Sequence, residues 1–596
     1  MQTLLKKALL LAVIAIGVGF SAFAATAPTK GVVRVKLQPE VAAQLGKQTR
    51  VRSNGVLKTG ASPLDNAVRL VNAVRIEPLL PQNDKYAARR AKYGLDRWYT
   101  VTFDQTVSPE EARKIFAATT GVERSETITP MSLKDGNSFR VLDRNAAPKA
   151  SAAAMPWNDP LMSRQWHYRN FGDIPYSVAG ADINLFDAWK TSTGSPDVVV
   201  AVIDGGIDTG HEDLQQNLYL NLAELNGEPG KDDDGNGYVD DVYGWNFCTN
   251  EARIYPHSHG THVAGTVAAV NNNGIGVAGV AGGNGDISTG VRMMSCQVFD
   301  PRSGAGEGDF AKALVYACEN GASIAQCSWG WDAAGYYEQA VLDAIDYFTN
   351  EARGPRMTGG LCIFAMGNTG ENGDFYPAAY EPCVAVTAMT SELTPAPYSS
   401  HGAAADITAP GGLLDYGEAQ GVLSTLPNNE YGFNEGTSMA TPHVAGVAAL
   451  ILSKYGSPSF TSATLRTQLL SSVNDFYGYG DNSRVQGLFG AGYLDAAKAM
   501  IMDQTSAPAA IADFTLNAAQ DYVSVQWTLT AGGDSHIIYY SKEPFTAQSD
   551  LTALPRKVVD TKFLSEGQQA SAELDRLEPL TRYYVAIQAV NRWGQA

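Results

Sequence analysis

Apolar positions recur with four different rhythms along the chain, and each rhythm predicts a different kind of unit. The first is a single apolar block at 8–20, preceded by Lys6 and Lys7 and followed by Ala22-Phe23-Ala24. That block is too short to cross a bilayer comfortably. A positive start, a short apolar run and a small-residue exit are the layout of a cleaved secretory signal. The reading therefore places a signal peptide at 1–24, in preference to an uncleaved anchor helix, and finds no following Cys for lipid to modify. No later stretch offers ~18 uninterrupted apolar residues, so no transmembrane segment is expected after the signal.

The second rhythm, over 25–150, sets strand-like runs at 31–37, 98–103 and 122–128 around one well-marked helix. Ser108-Pro109-Glu110-Glu111 combines a capping box with Pro at the first helical position, which predicts a helix from 109 to about 120. This is a small α+β unit, and the Ala/Pro/Ser-rich residues 145–156 after it have the composition of an exposed, cleavable linker. The third rhythm, over 151–505, alternates continuous apolar runs at 198–203, 361–365 and 384–387 with helical patterns at 309–320 and 337–349. Runs apolar at every position are strands buried on both faces, and strand–helix alternation implies an α/β unit with a mainly parallel sheet under covering helices. A second linker, Thr505-Ser506-Ala507-Pro508, opens the fourth stretch, 506–596. There 522–529 alternates with period two, as a half-buried strand does. Residues 577–591 resemble the penultimate strand of a fibronectin type III domain, which implies a β-sandwich. A final strand is expected to follow, and Ala596 leaves no room for it, so the natural protein is expected to continue.

Charge sharpens this division. The 596 residues hold 44 basic and 62 acidic side chains, for a net charge of −18. Residues 25–150 carry 21 basic and 12 acidic residues, whereas 151–596 carry 21 and 50. An acidic body argues against nucleic-acid binding through a broad basic surface. Six cysteines, Cys248, Cys296, Cys318, Cys327, Cys362 and Cys383, are too few for a disulfide scaffold in so long a chain. Two readings stay open for them: pairs Cys318–Cys327 and Cys362–Cys383 linking neighbouring elements, or free buried thiols.

Three segments carry candidate chemistry. Asp204 closes the apolar run in Val202-Ile203-Asp204-Gly205-Gly206. His259 opens a helix-like run in His259-Gly260-Thr261-His262, and Ser438 opens another in Gly436-Thr437-Ser438-Met439-Ala440-Thr441-Pro442-His443. Sites in open parallel sheets form at the carboxyl ends of strands, where such groups converge. A Ser hydroxyl needs a base to take its proton, a His titrating near neutrality can do so, and a buried carboxylate fixes the imidazole tautomer. His262 and His443 read as packed, hydrogen-bonded residues, and His167, His211, His257, His401 and His536 receive no role.

In the order Asp, His, Ser these segments resemble the signatures of the subtilisin-like serine proteases, the subtilases, over roughly 157–505. The Gly490-Ala491-Gly492-Tyr493-Leu494-Asp495 segment is similar to the end of that domain. The resemblance implies a doubly wound α/β peptidase domain with Asp204 orienting, His259 as general base, Ser438 as nucleophile and Asn368 of Met366-Gly367-Asn368-Thr369 as oxyanion donor. Ser328-Trp329-Gly330 matches the strand lining the substrate groove, with Trp in place of a smaller residue and so expected to reshape the neighbouring pockets; 302–308 is expected at the opposing edge. Many subtilases have Ser after the catalytic Asp, so Gly205 is expected to leave a hydroxyl contact missing. Residues 25–150 look like a subtilase propeptide, expected to fold against and inhibit its own enzyme, with self-cleavage between Asn145 and Met155.

Two oxygen-ligand sets predict Ca2+. Asp232, Asp234, Asn236, the Tyr238 carbonyl and Asp241 follow an EF-hand-like spacing, with Tyr243 where the bidentate Glu of a full loop would stand; a solvated acidic turn is the alternative. The family resemblance implies a second set: Asp159, Asp213, the Asn273 side chain and the carbonyls of Val270, Ile275 and Val277. The expected protein is a secreted or cell-surface serine endopeptidase acting on proteins or peptides. The competing readings are a subtilase-fold peptide ligase or cyclase and a non-catalytic binding protein. A sedolisin is disfavoured, because His259 and Asn368 stand where that family uses acids.

Overall fold

The computed structural model describes residues 27–591 other than 54, 56, 134–138, 143–154, 301, 303–307, 503–506, 520, 531–532, 534, 547–549, 562–566 and 576. The signal at 1–24, the supposed cleavage stretch up to residue 154 and most of the 302–308 edge lie outside them.

The front unit is a five-stranded antiparallel sheet in the order Arg50–Val51, Ala73–Pro78, Trp98–Phe103, Val32–Leu37, Val122–Thr127. The helix Pro109–Ala117 begins where its capping box predicts, with Ser108 Oγ accepting the Glu111 N–H at 3.2 Å. Alternation along Val32–Leu37 sends Val33, Val35 and Leu37 into the unit's own core. The same alternation sends Arg34 and Lys36 to the other face, which the body covers. There Arg34 meets Asp309 at 2.7 Å and Glu338 at 2.9 Å, and Lys36 meets Asp343 at 2.7 Å. Glu126 completes the dock by accepting the N–H groups of Gln339 and Ala340 at 2.9 and 3.2 Å. It thereby satisfies the first amides of the helix Gln339–Glu351, which has no side-chain cap of its own.

The body is built on a nine-stranded sheet. Its order is Val473–Asn474, Tyr493–Leu494, Ile407–Pro410, Val384–Met389, Leu361–Ala365, Ile324–Cys327, Val199–Gly205, Arg292–Phe299, Gly244–Asn246, parallel throughout except the first pair. Alternate residues of one strand feed two cores: Val200 and Val202 pack with the helices Ser258–Ala268 and Thr437–Tyr455, Ala201 and Ile203 with Phe310–Glu319 and Gln339–Glu351. Helices on both faces make the sheet doubly wound, as expected.

The last part forms two three-stranded antiparallel sheets, Phe514–Ala518/Val523–Thr528/Gln569–Leu574 and Arg556–Asp560/Ser535–Ser541/Tyr584–Val590. Val525, Trp527, Ile538 and Leu574 share one core between them. All six cysteines are free, so neither expected pair forms. Five are buried in the apolar core, and Cys318 points its thiol at the Tyr347 carbonyl instead of toward Cys327. Among the described residues no helix is long and apolar enough to cross a membrane.

Candidate active site

Asp204 stands next to last in the Val199–Gly205 strand, fully buried. His259 is the second residue of the helix Ser258–Ala268, and its Nδ1 lies 2.7 Å from Asp204 Oδ1. Asp204 Oδ1 also accepts the Gly205 N–H at 2.6 Å, so the carboxylate and the ring hold one another from fixed backbone. Ser438 is the second residue of the helix Thr437–Tyr455, entered through Gly436 at φ 144°, a conformation that favours glycine. The Ser438 hydroxyl donates to the Ser328 carbonyl at 3.1 Å, and the Ser328 hydroxyl returns a bond to the Ser438 carbonyl at 2.9 Å.

Asn368 follows the strand Leu361–Ala365. Its Oδ1 accepts both the N–H and the hydroxyl of Thr437, at 3.0 and 2.8 Å. That fixes the amide orientation and turns Nδ2 the other way, where it is buried with no acceptor. An oriented, unsatisfied donor beside a nucleophile is what a developing oxyanion requires. The structure thus joins Asp204 to His259 and sets Asn368 against Thr437, the residue before Ser438.

An ideal Cβ on Gly205 would sit 2.4 Å from Cγ and 2.5 Å from Cβ of His257, so no side chain fits there while that ring does. The glycine is therefore a packing requirement as well as a position without a hydroxyl. His257, given no role from sequence, also caps the helix of His259 by accepting its N–H at Nδ1 (3.0 Å). Sequence spacing carried one hint, its place two residues before His259. The Trp329 side chain is fully buried, with Nε1–H donating to the Ile203 carbonyl at 2.6 Å. The Ser328-Trp329-Gly330 main chain does receive an extended peptide. Leu133 and Ser132 pair with Trp329 and Gly330 in antiparallel register. Farther along, Arg140 and Val141 pair with Phe433 and Gly432, and the Phe139 ring lies 5.4 Å from that of His262. The chain's own residues flank the catalytic groups on both sides, and Asp204, His259 and Ser438 are all inaccessible.

His262 bridges to the carbonyls of Val422 and Gly432 at 3.1 Å each, and burial pushes it down to about 3. His443 is likewise pushed down by burial to about 3, with Nδ1 on the Met439 carbonyl (2.8 Å) and Nε2 on His167 Nδ1 (2.7 Å). These are packed, neutral histidines, as read from the sequence.

In the second calcium set, both carboxylates meet the 270–277 loop through its amides. Asp159 accepts the N–H groups of Asn272 and Asn273 at 2.8 and 3.2 Å, and Asp213 accepts that of Val277 at 3.0 Å. Val270 N–H donates to the Asp213 carbonyl at 2.9 Å. Burial pushes Asp213 up to about 8 and Asp159 up to about 6. The Asn273 oxygen is taken by Ile275 N–H (3.0 Å), so its nitrogen, and not its oxygen, faces Asp213 at 2.7 Å. In the 232–241 loop, Asp234 and Asp241 cluster with Glu224, with carboxylate oxygens within 4.8 Å of one another. Asp232 is not among them, and it accepts the amides of Asn236 and Gly237 at 3.1 and 2.8 Å. Asn236 reaches Asp241 through its nitrogen (2.9 Å), and the Tyr238 ring is buried against Trp245 and Tyr316. Glu224 escaped sequence reading because it lies outside the loop, in the helix Leu222–Leu225. Carboxylate oxygens crowded this closely fit a hard divalent cation.

Residues 195–492 match the Subtilase family (Peptidase_S8). A thermophilic serine proteinase of Bacillus sp. (strain AK1) is 34% identical over 268 residues, which are 45% of this chain and 55% of that protein. The chain thus spans about half the length of that relative. Halolysin of Haloferax mediterranei is 30% identical over 440 residues, 72% of each chain. Among solved structures, fervidolysin from Fervidobacterium pennivorans, a keratinolytic enzyme related to subtilisin, matches with a TM-score of 0.53 at 20% identity. The match covers 92% of this chain and 69% of that one and is a likeness of fold.

Proposed function

The chain belongs to the subtilase family, and from that premise we propose that it is a secreted serine endopeptidase made as a self-processing zymogen. The observation that carries this reading is the Asp204–His259 contact at 2.7 Å together with the unsatisfied Asn368 Nδ2 donor, whose amide is held by Thr437 next to Ser438. Ser438 Oγ attacks the scissile carbonyl while His259 takes its proton and later returns it to the leaving amine. Asp204 holds the imidazole in the tautomer with Nδ1–H and stabilises the imidazolium. The Ser438 hydroxyl rests on the Ser328 carbonyl. A substrate N–H arriving at that acceptor frees the hydroxyl toward His259. Asn368 Nδ2 and the first amides of the Ser438 helix receive the oxyanion, and a substrate strand docks on Ser328–Gly330 by main-chain bonds, as Ser132–Leu133 does.

The front unit, 25–150, acts as the propeptide: its last strands run along the groove and keep substrate out until cleavage. The sandwich at 506–596 is read as a fibronectin type III-like module. Ca2+, held by Asp159, Asp213 and the 270–277 loop and by Glu224, Asp234 and Asp241, would neutralise buried carboxylates and stabilise the fold. The test is the full chain beside Ser438→Ala on an unstructured protein, with mass-spectrometric mapping of cuts. Wild type cleaves the substrate and itself, whereas Ser438→Ala does neither and melts at lower temperature in excess chelator. Self-processing by pure Ser438→Ala overturns the autocatalytic reading, and an unmoved melting curve overturns both calcium sites.

A further inference from the structure

We propose that Trp329 is a positioning residue that holds Asp204 in line with His259 and couples the peptide-docking strand to the catalytic acid. The proposal rests on the peptidase reading above. Trp329 lies at 0% exposure, and its indole N–H donates to the Ile203 carbonyl at 2.6 Å, the peptide that leads directly into Asp204. The parallel ladder between Ile324–Cys327 and Val199–Gly205 ends at Gln326↔Val202. The indole meets the next carbonyl along, at the point where that ladder stops and the carboxylate begins.

The ring is itself held. Phe310, the first residue of the helix Phe310–Glu319, tilts against it at 4.4 Å between centroids, and Phe364 meets it edge-on at 5.0 Å. Phe364 belongs to the strand that leads to Asn368. On the other side of the same short strand, Ser328 exchanges two hydrogen bonds with Ser438. Residues 328–330 therefore present their main chain to peptide while the Trp329 side chain reaches back to the acid. A leucine fills part of this space and supplies no N–H, and a phenylalanine keeps an aromatic ring and supplies none either.

Full-length wild type, Trp329→Phe and Trp329→Leu are compared on one peptide substrate across pH and by labelling with a fluorophosphonate. Melting temperatures are taken in the Ser438→Ala background to prevent self-digestion. Expected are a kcat lower by about tenfold in both variants, with KM within about twofold, since small misplacement of a catalytic group is felt in turnover. The acid limb of kcat/KM moves to lower pH in both, because a loosened carboxylate stabilises the His259 imidazolium less. A lowered melting temperature with unchanged kcat and pH profile makes the residue merely structural and overturns the proposal. A changed KM with unchanged kcat makes it a pocket residue and overturns it equally. Wild type that neither cleaves nor labels removes the peptidase reading, and this one with it; where wild type does both, any failure belongs to the role of Trp329 alone.

Discussion

At residue scale, the site depends on who occupies the space beside Asp204. The His257 ring stands where a Cβ on Gly205 would fall, 2.4 Å from its Cγ. Gly205→Ser, which copies the commoner family residue, is expected to overpack the site. We predict a loss of about 1–3 kcal/mol in stability and a lower kcat/KM, because Cβ and Cγ of a neighbour cannot swing aside as a flexible tip can. His257→Ala alone loses the helix cap, about 1 kcal/mol. The double variant regains much of the Gly205→Ser loss, and a thermodynamic cycle on melting measures the coupling. Purely additive effects would refute the steric account. The same pair marks the limit of what the sequence discloses. Asp204, His259, Ser438 and Asn368 were legible because the reaction admits few substitutes and each stands in a distinctive run. The orientation of Trp329, the packing of His257 on Gly205 and the arrival of Glu224 were not, since each depends on a partner far away in the chain or on which way a side chain turns.

At the scale of elements, strands buried on both faces announced themselves by unbroken apolar runs, and the sheet follows from them. The two-residue strands Ser132–Leu133 and Arg140–Val141 have no rhythm of their own and exist only through the edges they join. The helices Ser258–Ala268 and Thr437–Tyr455 carry a further consequence. His262 and His443 sit on them fully buried, both pushed down to about 3 by burial, and His167, bonded to His443, is pushed down too. Unfolding returns each to an ordinary value near 6.5, so the unfolded state binds more protons below that pH. Stability from these groups is complete above about 6.5 and is lost as pH falls from there toward 3. Acid titration of Ser438→Ala stability should therefore carry this downward slope from near pH 6.5, opposed over the same range by Asp213 and Asp159, whose raised values favour the fold as pH falls. His443→Gln removes one histidine and leaves both carboxylates, so the difference between the two titrations isolates the histidine slope. A difference that stays flat from pH 6.5 to 5 would mean that His443 is already charged in the fold.

For the whole molecule, the net −18 divides into a basic front unit and an acidic body, and the structure gives that division a contact surface. Arg34 meets Asp309 and Glu338 with side-chain exposures of 5%, 15% and 2%, and Arg90 meets Glu319 at 5% and 2%. Long-range attraction between opposite net charges speeds encounter and is screened by salt, whereas pairs out of water are screened little. The two effects separate in kinetics if the front unit is cut from a Ser438→Ala body at a protease site placed within 145–156. Association of the halves should slow markedly between 50 and 500 mM salt, values chosen to span roughly a threefold change in Debye length. Dissociation should hold within about twofold. Arg34→Met leaves Asp309 and Glu338 buried without their cation; losing one partner of such a pair costs about 3–5 kcal/mol. The expected result is dissociation faster by about 10²- to 10⁴-fold, with the salt dependence of association nearly kept. Dissociation that instead accelerates with salt as steeply as association slows would show that these contacts stay wet. Charge would then guide the front unit to the body without holding it there.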